Sequence, residues 1–244
     1  GSFLNVCIYR IPRGESLVWP GSHCPLCEKP IRPWELVPVF SWIGLKGYCS
    51  SCGMRISPRY PFVEALTGVA FYYGAAQAGD SIPQLAANIV FLGGLIVVFF
   101  TDLDYMLIPN KVLLPMAIVA LAASAATGSL KESITAAAVG FGAFYAIGFL
   151  GTLLLKKDAM GGGDIKLAGV IGLFLGMERM LTGLFLAFVF GVLVTLPLLV
   201  AHRDSAREPV PFGPMMAAGA AVALFHGPAL VEWYGSLMAG IWLR

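Results

Sequence analysis

From position 62 onward the chain alternates long apolar runs with short polar joints. Runs near 62–78, 83–101, 110–127, 133–155, 165–177, 179–200, 212–225 and 228–243 carry few charges and read as membrane spans. Crossing about 30 Å of hydrocarbon takes about 17–25 helical residues. The shorter runs therefore predict tilted or partial spans, and the total is set to within one or two. Residues 1–9 are also apolar but too short to cross, and are expected to be the last turns of a truncated first transmembrane helix. Residues 10–60 interrupt the pattern. Prolines at 12, 20, 25, 30, 33, 38 and 58 exclude long helices there, which predicts a small loop-rich domain between the first run and a transmembrane domain of residues 61–244. No internal repeat stands out.

Composition turns these runs into a class. Of 244 residues, 58% are hydrophobic and 12% charged, against roughly 25% charged in soluble domains, and mean hydropathy is +0.80. A soluble core of this size could not hide so much apolar surface. The expected fold is all-α, a polytopic transmembrane helical bundle with a small irregular cytoplasmic domain.

Charge adds orientation. Residues 10–60 hold seven basic side chains against Glu15, Glu28 and Glu35, which places them on the cytoplasmic side by the positive-inside rule. The joints 102–111, 156–166 and 201–210, the last with Arg203 and Arg207, then fall inside, and 127–133 outside. Arg179, beside Glu178 in an outer joint, is the exception. Trp19, Trp34, Phe40, Trp42 and Tyr48 can rest on the membrane surface. Membrane lipid is the expected surrounding, and nothing points to nucleic acid.

Four of the five cysteines form Cys24-x-x-Cys27 and Cys49-x-x-Cys52, 21 residues apart. Two such pairs fit a structural four-thiolate zinc knuckle, and a domain with so little core needs a staple of that kind. Thiolates imply a reducing compartment; two disulfides on an exposed domain are the competing reading. With four Cys ligands the metal shell is closed, so the role is structural. Cys7, in an apolar run, reads as a buried filler, and His23 as a bystander.

Two carboxylates carry the candidate chemistry. Asp102 lies at the tail of one apolar run, and Asp164 follows Gly161-Gly162-Gly163 at the head of another. Two spans, 110–127 and 133–155, separate them, and an even number of crossings returns both to one face. Aspartic peptidases need two carboxylates sharing one proton, the ionised one activating water and the protonated one polarising the scissile carbonyl. Gly161 and Gly163 are expected to let the backbone approach a substrate and adopt left-handed angles. Helix capping is the competing role for Asp164, and Asp104 competes with Asp102 for the first position. Arg59 and Glu64, flanking the first full span, read as an ion pair or as a hold on substrate charge. Pro211-Phe212-Gly213-Pro214 reads as a helix start or tight turn. A membrane ion or solute transporter with a carboxylate proton relay is the alternative function, and a non-catalytic zinc-knuckle scaffold a third.

The chain also carries Gly1-Ser-Phe-Leu-Asn-Val-x-Ile-Tyr-Arg-x-Pro12, Cys24-Pro-x-Cys27, Ile31-Arg-Pro-Trp-Glu35-x-x-Pro38, Cys49-x-x-Cys52 and Arg59-Tyr-Pro-x-x-Glu64. Asp102-x-Asp-x-x-x-Ile-Pro109, Gly161-x-Gly-Asp164 and Pro211-Phe-Gly-Pro214 follow in order. In this conjunction it resembles the type IV prepilin peptidases, membrane aspartic peptidases of the GxGD kind. The resemblance implies an enzyme of the bacterial inner membrane. Such an enzyme cleaves the basic leader of type IV prepilins and type II secretion pseudopilins at the cytoplasmic face, then methylates the new N-terminal amine with S-adenosylmethionine. It maps the catalytic pair onto Asp102 and Asp164 and the cysteine motif onto Cys24, Cys27, Cys49 and Cys52. In that family a first span precedes the opening Gly-Ser-Phe-Leu-Asn stretch. No residue pattern locates an S-adenosylmethionine site; the 10–60 domain and its junction with the membrane are where one is expected.

Overall fold

The computed structural model describes residues 1–156, 160–201 and 210–242. Lys157 and Asp158 of one inner joint, and His202, Arg203 and Arg207 of another, lie outside the described residues. The fold is all-α. Helix α1 (Ser2–Arg10) is followed by a 3-10 turn at Pro33–Leu36, α2 (Phe40–Gly44), α3 (Arg59–Ala78), α4 (Ile82–Tyr105), α5 (Asn110–Thr127), α6 (Leu130–Leu155), α7 (Gly162–Ala201) and α8 (Gly213–Trp242). Five of these, α4 to α8, are long and apolar enough to cross a membrane. Helix α3, read as a span at 62–78, has the length but lacks the apolar composition. It carries Arg59, Glu64, Thr67 and Gln77.

Helix α4 is the core of the bundle, packed on α1, α3, α5 and α8. Close approach to α3 depends on Gly74. A Cβ there would stand 2.7 Å from Leu92, and the Asn88 side-chain amide donates to the Gly74 carbonyl across the gap at 2.8 Å. Small residues of this kind are what let membrane helices approach without a hydrophobic drive between them.

Helix α7 doubles back. Gly176 sits at φ 72°, ψ −179°, a backbone region open in practice only to glycine. Along the first arm, Ile165, Ala168 and Gly172 lie beside Gly148, Gly140 and Ala136 of α6, so the two run antiparallel. Along the second arm, Met180 lies beside Gly140 and Phe188 beside Phe144, so this arm runs parallel to α6. The arms are therefore antiparallel to each other, and the separate runs at 165–177 and 179–200 correspond to them.

The other pair of runs is corrected. The segments read as spans 212–225 and 228–243 form one continuous helix, α8, with Pro228 inside it. A proline removes one backbone donor, and packing against neighbouring helices lets a membrane helix carry that loss. Helix α8 lies antiparallel to the second arm of α7, with Gly183 against Ala220 and Gly191 against Phe212. This alternation gives the bundle two distinct ends. One gathers Arg59, Asp102, Asp164 and Gly213; the other gathers Gln77, Glu132, Gly176 and Leu224.

Candidate active site

Asp102 stands on the last turn of α4, which closes when Met106 enters the left-handed region and donates its N–H to the Asp102 carbonyl at 2.8 Å. The side chain is 6% exposed. Its Oδ2 accepts the backbone N–H of Gly213, the first residue of α8, at 2.8 Å. Free N–H groups and the dipole at a helix N-terminus both favour a carboxylate. Gly213 has no room for a side chain, since a Cβ would stand 2.6 Å from the same Oδ2. The Pro211–Pro214 stretch is thus a helix start, as its residues predicted, and also the source of a backbone N–H for Asp102. Nothing local in the sequence marked that second role.

Asp164 lies in the first turn of α7, with its N–H bonded to the Gly161 carbonyl at 3.1 Å. Its carboxylate folds back over Gly161, where a Cβ would stand 3.0 Å from Oδ2. Asp164 is the third residue of α7 and not its N-cap. The same carboxylate is close enough to Asp102 to interact with it electrostatically. A Cβ on Gly163 would come within 2.9 Å of Ile108, in the α4–α5 joint six residues beyond Asp102. That close contact packs the glycine run against the Asp102 segment. The expected left-handed angles are absent: none of Gly161, Gly162 and Gly163 has positive φ. Two of the three glycines are needed for close approach instead, and around Gly162 there is open space. Lys166 donates to the Asn110 side chain at 3.1 Å and ties α7 to the start of α5.

Asp104 is engaged elsewhere. It forms a two-pronged pair with Arg59 at 2.7 and 2.8 Å, and the guanidinium lies 4.7 Å over the Phe100 ring. Arg59 therefore does not pair with Glu64. Glu64 accepts the hydroxyl of Ser2 and the backbone N–H of Val39 at 2.8 Å, joining α1, α3 and the polar domain at the same end of the bundle.

The polar domain presents two matching loops. Cys24 donates its N–H to Lys29 and accepts from Glu28; Cys49 donates to Met54 and accepts from Gly53, all at 2.8–3.0 Å. Glu28 and Gly53, at equivalent places, both have positive φ. The four sulfurs lie within 4.8 Å of one another, with Cys24 and Cys52 3.8 Å apart. Tetrahedral Zn–S bonds of about 2.3 Å put sulfurs roughly 3.8 Å apart. No disulfide forms among them, so that competing reading falls. Backbone hydrogen bonds from Cys27 and Leu26 pull the Cys24 thiol down to about 6. At Cys52 the Met54 hydrogen bond lowers the thiol, but burial and the thiols of Cys49, Cys27 and Cys24 raise it to about 11. Without a cation the four cannot all be thiolates at neutral pH. The set can hold a metal ion. Cys7, outside it, is buried in the core.

Two family models match the chain: the bacterial peptidase A24 N-terminal domain over residues 1–78 and the type IV leader peptidase family over residues 89–196. Among curated relatives, the prepilin leader peptidase/N-methyltransferase of Bacillus subtilis is 35% identical over 98% of this chain and 95% of its own length. That of Stutzerimonas stutzeri is 32% identical over 96% and 89%. The type 4 prepilin-like proteins leader peptide-processing enzyme of Escherichia coli is 32% identical over 92% and 89%. No solved structure matches significantly. A buried carboxylate and a glycine-led carboxylate at one end of a multi-pass bundle, with these relatives across nearly its whole length, place the chain in the type IV leader peptidase family.

Proposed function

We propose that this membrane protein is an aspartic endopeptidase that removes the leader of type IV prepilins and type II secretion pseudopilins, with Asp102 and Asp164 as its catalytic pair. The observation that carries the reading is the meeting of these two carboxylates at one end of the bundle, from segments 62 positions apart. One ionised carboxylate takes a proton from water as the oxygen attacks the scissile carbonyl; the other, protonated, donates to the carbonyl oxygen. Collapse of the tetrahedral intermediate breaks the C–N bond, and the proton taken from water passes to the leaving amine. The pair titrates as a unit, so the proton belongs to neither residue alone. The carboxylate proton-relay transporter gains nothing from either comparison.

The site faces the cytoplasm in the inner membrane on this reading. Its support is the basic 10–60 domain, which joins the bundle beside Asp102 through the Arg59–Asp104 pair. An apolar groove of about 310 Å³ starts at the Asn110–Lys166 bridge and is lined by Leu113, Leu114, Ala117 and Val170. It leads away from Asp164 along α5 and α7, and is the surface on which the apolar helix of a pilin would lie. Of the acidic side chains that could meet a basic leader, Glu64 is bonded to Ser2 and Val39 and Glu35 to the Arg32 backbone. Glu28, in its knuckle turn, has no such bond among the described residues. Lipid surrounds α5 and α6, whose apolar windows are only 22% and 17% buried within the bundle.

The relatives' name also carries N-methylation, which requires S-adenosylmethionine as methyl donor. The described residues contain no strand, hence no strand–glycine loop–helix cradle for it, and the groove beside the pair is apolar, which leaves the 10–60 domain and its junction with the membrane as the place where the donor would bind.

Incubating the protein in detergent with a prepilin and following leader release tests the proposal; a prepilin that stays intact overturns it. The same assay separates the three glycines. Gly161→Ala and Gly163→Ala, which push on Asp164 and Ile108, are expected to slow cleavage by about 10²-fold, and Gly162→Ala to leave it within a few-fold of wild type. For the cysteine cluster, the expectation is one Zn²⁺ per chain by elemental analysis. Its affinity should fall with pH through the neutral range, because the Cys52 thiol must lose its proton to bind, and more steeply below about 6, where the Cys24 thiol is protonated as well.

A further inference from the structure

We infer that the end of the bundle remote from the aspartates carries a binding site for a small zwitterion with a primary ammonium and a phosphate, the chemistry of a phosphoethanolamine headgroup. A cavity of about 340 Å³ opens there, enclosed by α3, α4, α6, the Gly176 turn and α8. Its volume is in the range of small-ligand sites, about 300–1,000 Å³. Two opposite charges line it, Arg179 and Glu132. They do not pair with each other: the ion pair among the described residues is Arg59–Asp104. Arg179 is half-buried, and a cation inside a membrane bundle without a partner is expensive. With Lys131 in the 127–133 joint, it is a basic residue at the end read as outer.

The walls are built and set. The Gln84 amide donates to the Asn88 side-chain oxygen at 2.9 Å, Asn88 to the Gly74 carbonyl at 2.8 Å, and Gln77 to the Leu224 carbonyl at 2.7 Å. The glutamine side-chain oxygens remain as acceptors. Gly176 leaves space for the Glu132 carboxylate, which would stand 2.6 Å from a Cβ at that position. Gly227 leaves space for the Arg179 stem in the same way, at 3.1 Å. Ser133, 6% exposed, also lines the cavity and brings a hydroxyl to it.

The unspent groups therefore divide into two sets. Arg179 and the Ser133 hydroxyl suit an anionic phosphate; the Glu132 carboxylate, with the Gln77 and Gln84 oxygens, suits an ammonium. The joints at Gly79–Ser81 and Gly128–Ser129 close this end of the bundle, which would set the cavity near the lipid headgroups. Either a lipid or a free phosphoethanolamine could supply the ligand.

Thermal unfolding and native mass spectrometry of the detergent-purified protein test this with four additions: phosphatidylethanolamine, phosphatidylglycerol, phosphatidylcholine and soluble O-phosphoethanolamine. Phosphatidylethanolamine should stay bound and raise the unfolding midpoint by about 5 °C at saturation. Phosphatidylglycerol lacks the ammonium and phosphatidylcholine its N–H donors, so each should do much less. A shift from O-phosphoethanolamine as well shows that the headgroup suffices; a shift from the lipid alone shows that the acyl chains contribute. Arg179→Gln and Glu132→Gln should each abolish the shift while prepilin cleavage stays within a few-fold of wild type. If Arg179→Gln fails to fold, Glu132→Gln and Ser133→Ala decide. Equal shifts from all three lipids, a shift from none, or a full shift in the variants would overturn the site and leave a water-filled cavity.

Discussion

Asp102→Asn and Asp164→Asn are each expected to reduce prepilin cleavage by roughly 10³-fold, the scale of a lost general acid or base. The asparagine is close in shape, and its side-chain oxygen still accepts from the Gly213 N–H, so the bundle should fold and unfold as wild type does. The double variant should be no slower than either single one, because two carboxylates sharing a proton act as a unit. Asp104→Asn is the internal contrast. Asp104 is two residues from Asp102, yet its carboxylate is held by Arg59 with both side chains partly in solvent. An exposed pair of that kind contributes about 0–1 kcal/mol, and its loss should change the rate by less than tenfold. Wild-type cleavage by Asp102→Asn or Asp164→Asn would show the pair is misassigned.

Gly213→Ala is expected to cost about 10²-fold in kcat, the usual effect of displacing a reacting group by about 1 Å. The added methyl would stand 2.6 Å from Asp102 Oδ2, so either the carboxylate or the start of α8 must move. The backbone of Gly213 is not left-handed, so strain is not the mechanism, and alanine at a helix start barely alters stability. An unchanged melting temperature with a depressed kcat separates displacement of the carboxylate from unfolding. Activity at the wild-type level would show that the Gly213 contact is incidental.

Much of this arrangement was legible because it is local or countable. Cys24, Cys27, Cys49 and Cys52 announced a metal-ready cluster by spacing alone. The even number of crossings between Asp102 and Asp164 placed them at one end before any distance was known. The doubling back of α7 showed as a gap between the apolar runs 165–177 and 179–200, two residues beyond Gly176. What stayed hidden depends on contacts far apart in sequence. The Gly213 N–H reaches Asp102 across 111 positions, and the bond from Val39 to Glu64 crosses 25. No periodicity registers either. The split between 212–225 and 228–243 fell away for a different reason: the Pro228 that lies there is absorbed inside a packed apolar bundle. The glycines before Asp164 misled by their usual association with left-handed turns; their function here is small size in a helical first turn.

The fold of α7 also bears on the membrane around it. From Gly162 to the turn at Gly176 the first arm rises about 21 Å at 1.5 Å per residue, well short of the roughly 30 Å of an average hydrocarbon layer. Leu167, Ala168, Ile171 and Leu175 of this arm are buried among neighbouring helices, so protein and not lipid makes up the shortfall. The short arm thereby holds Asp164 and the Gly176 turn close together along one element, while the 26-residue α6 beside it provides the full crossing.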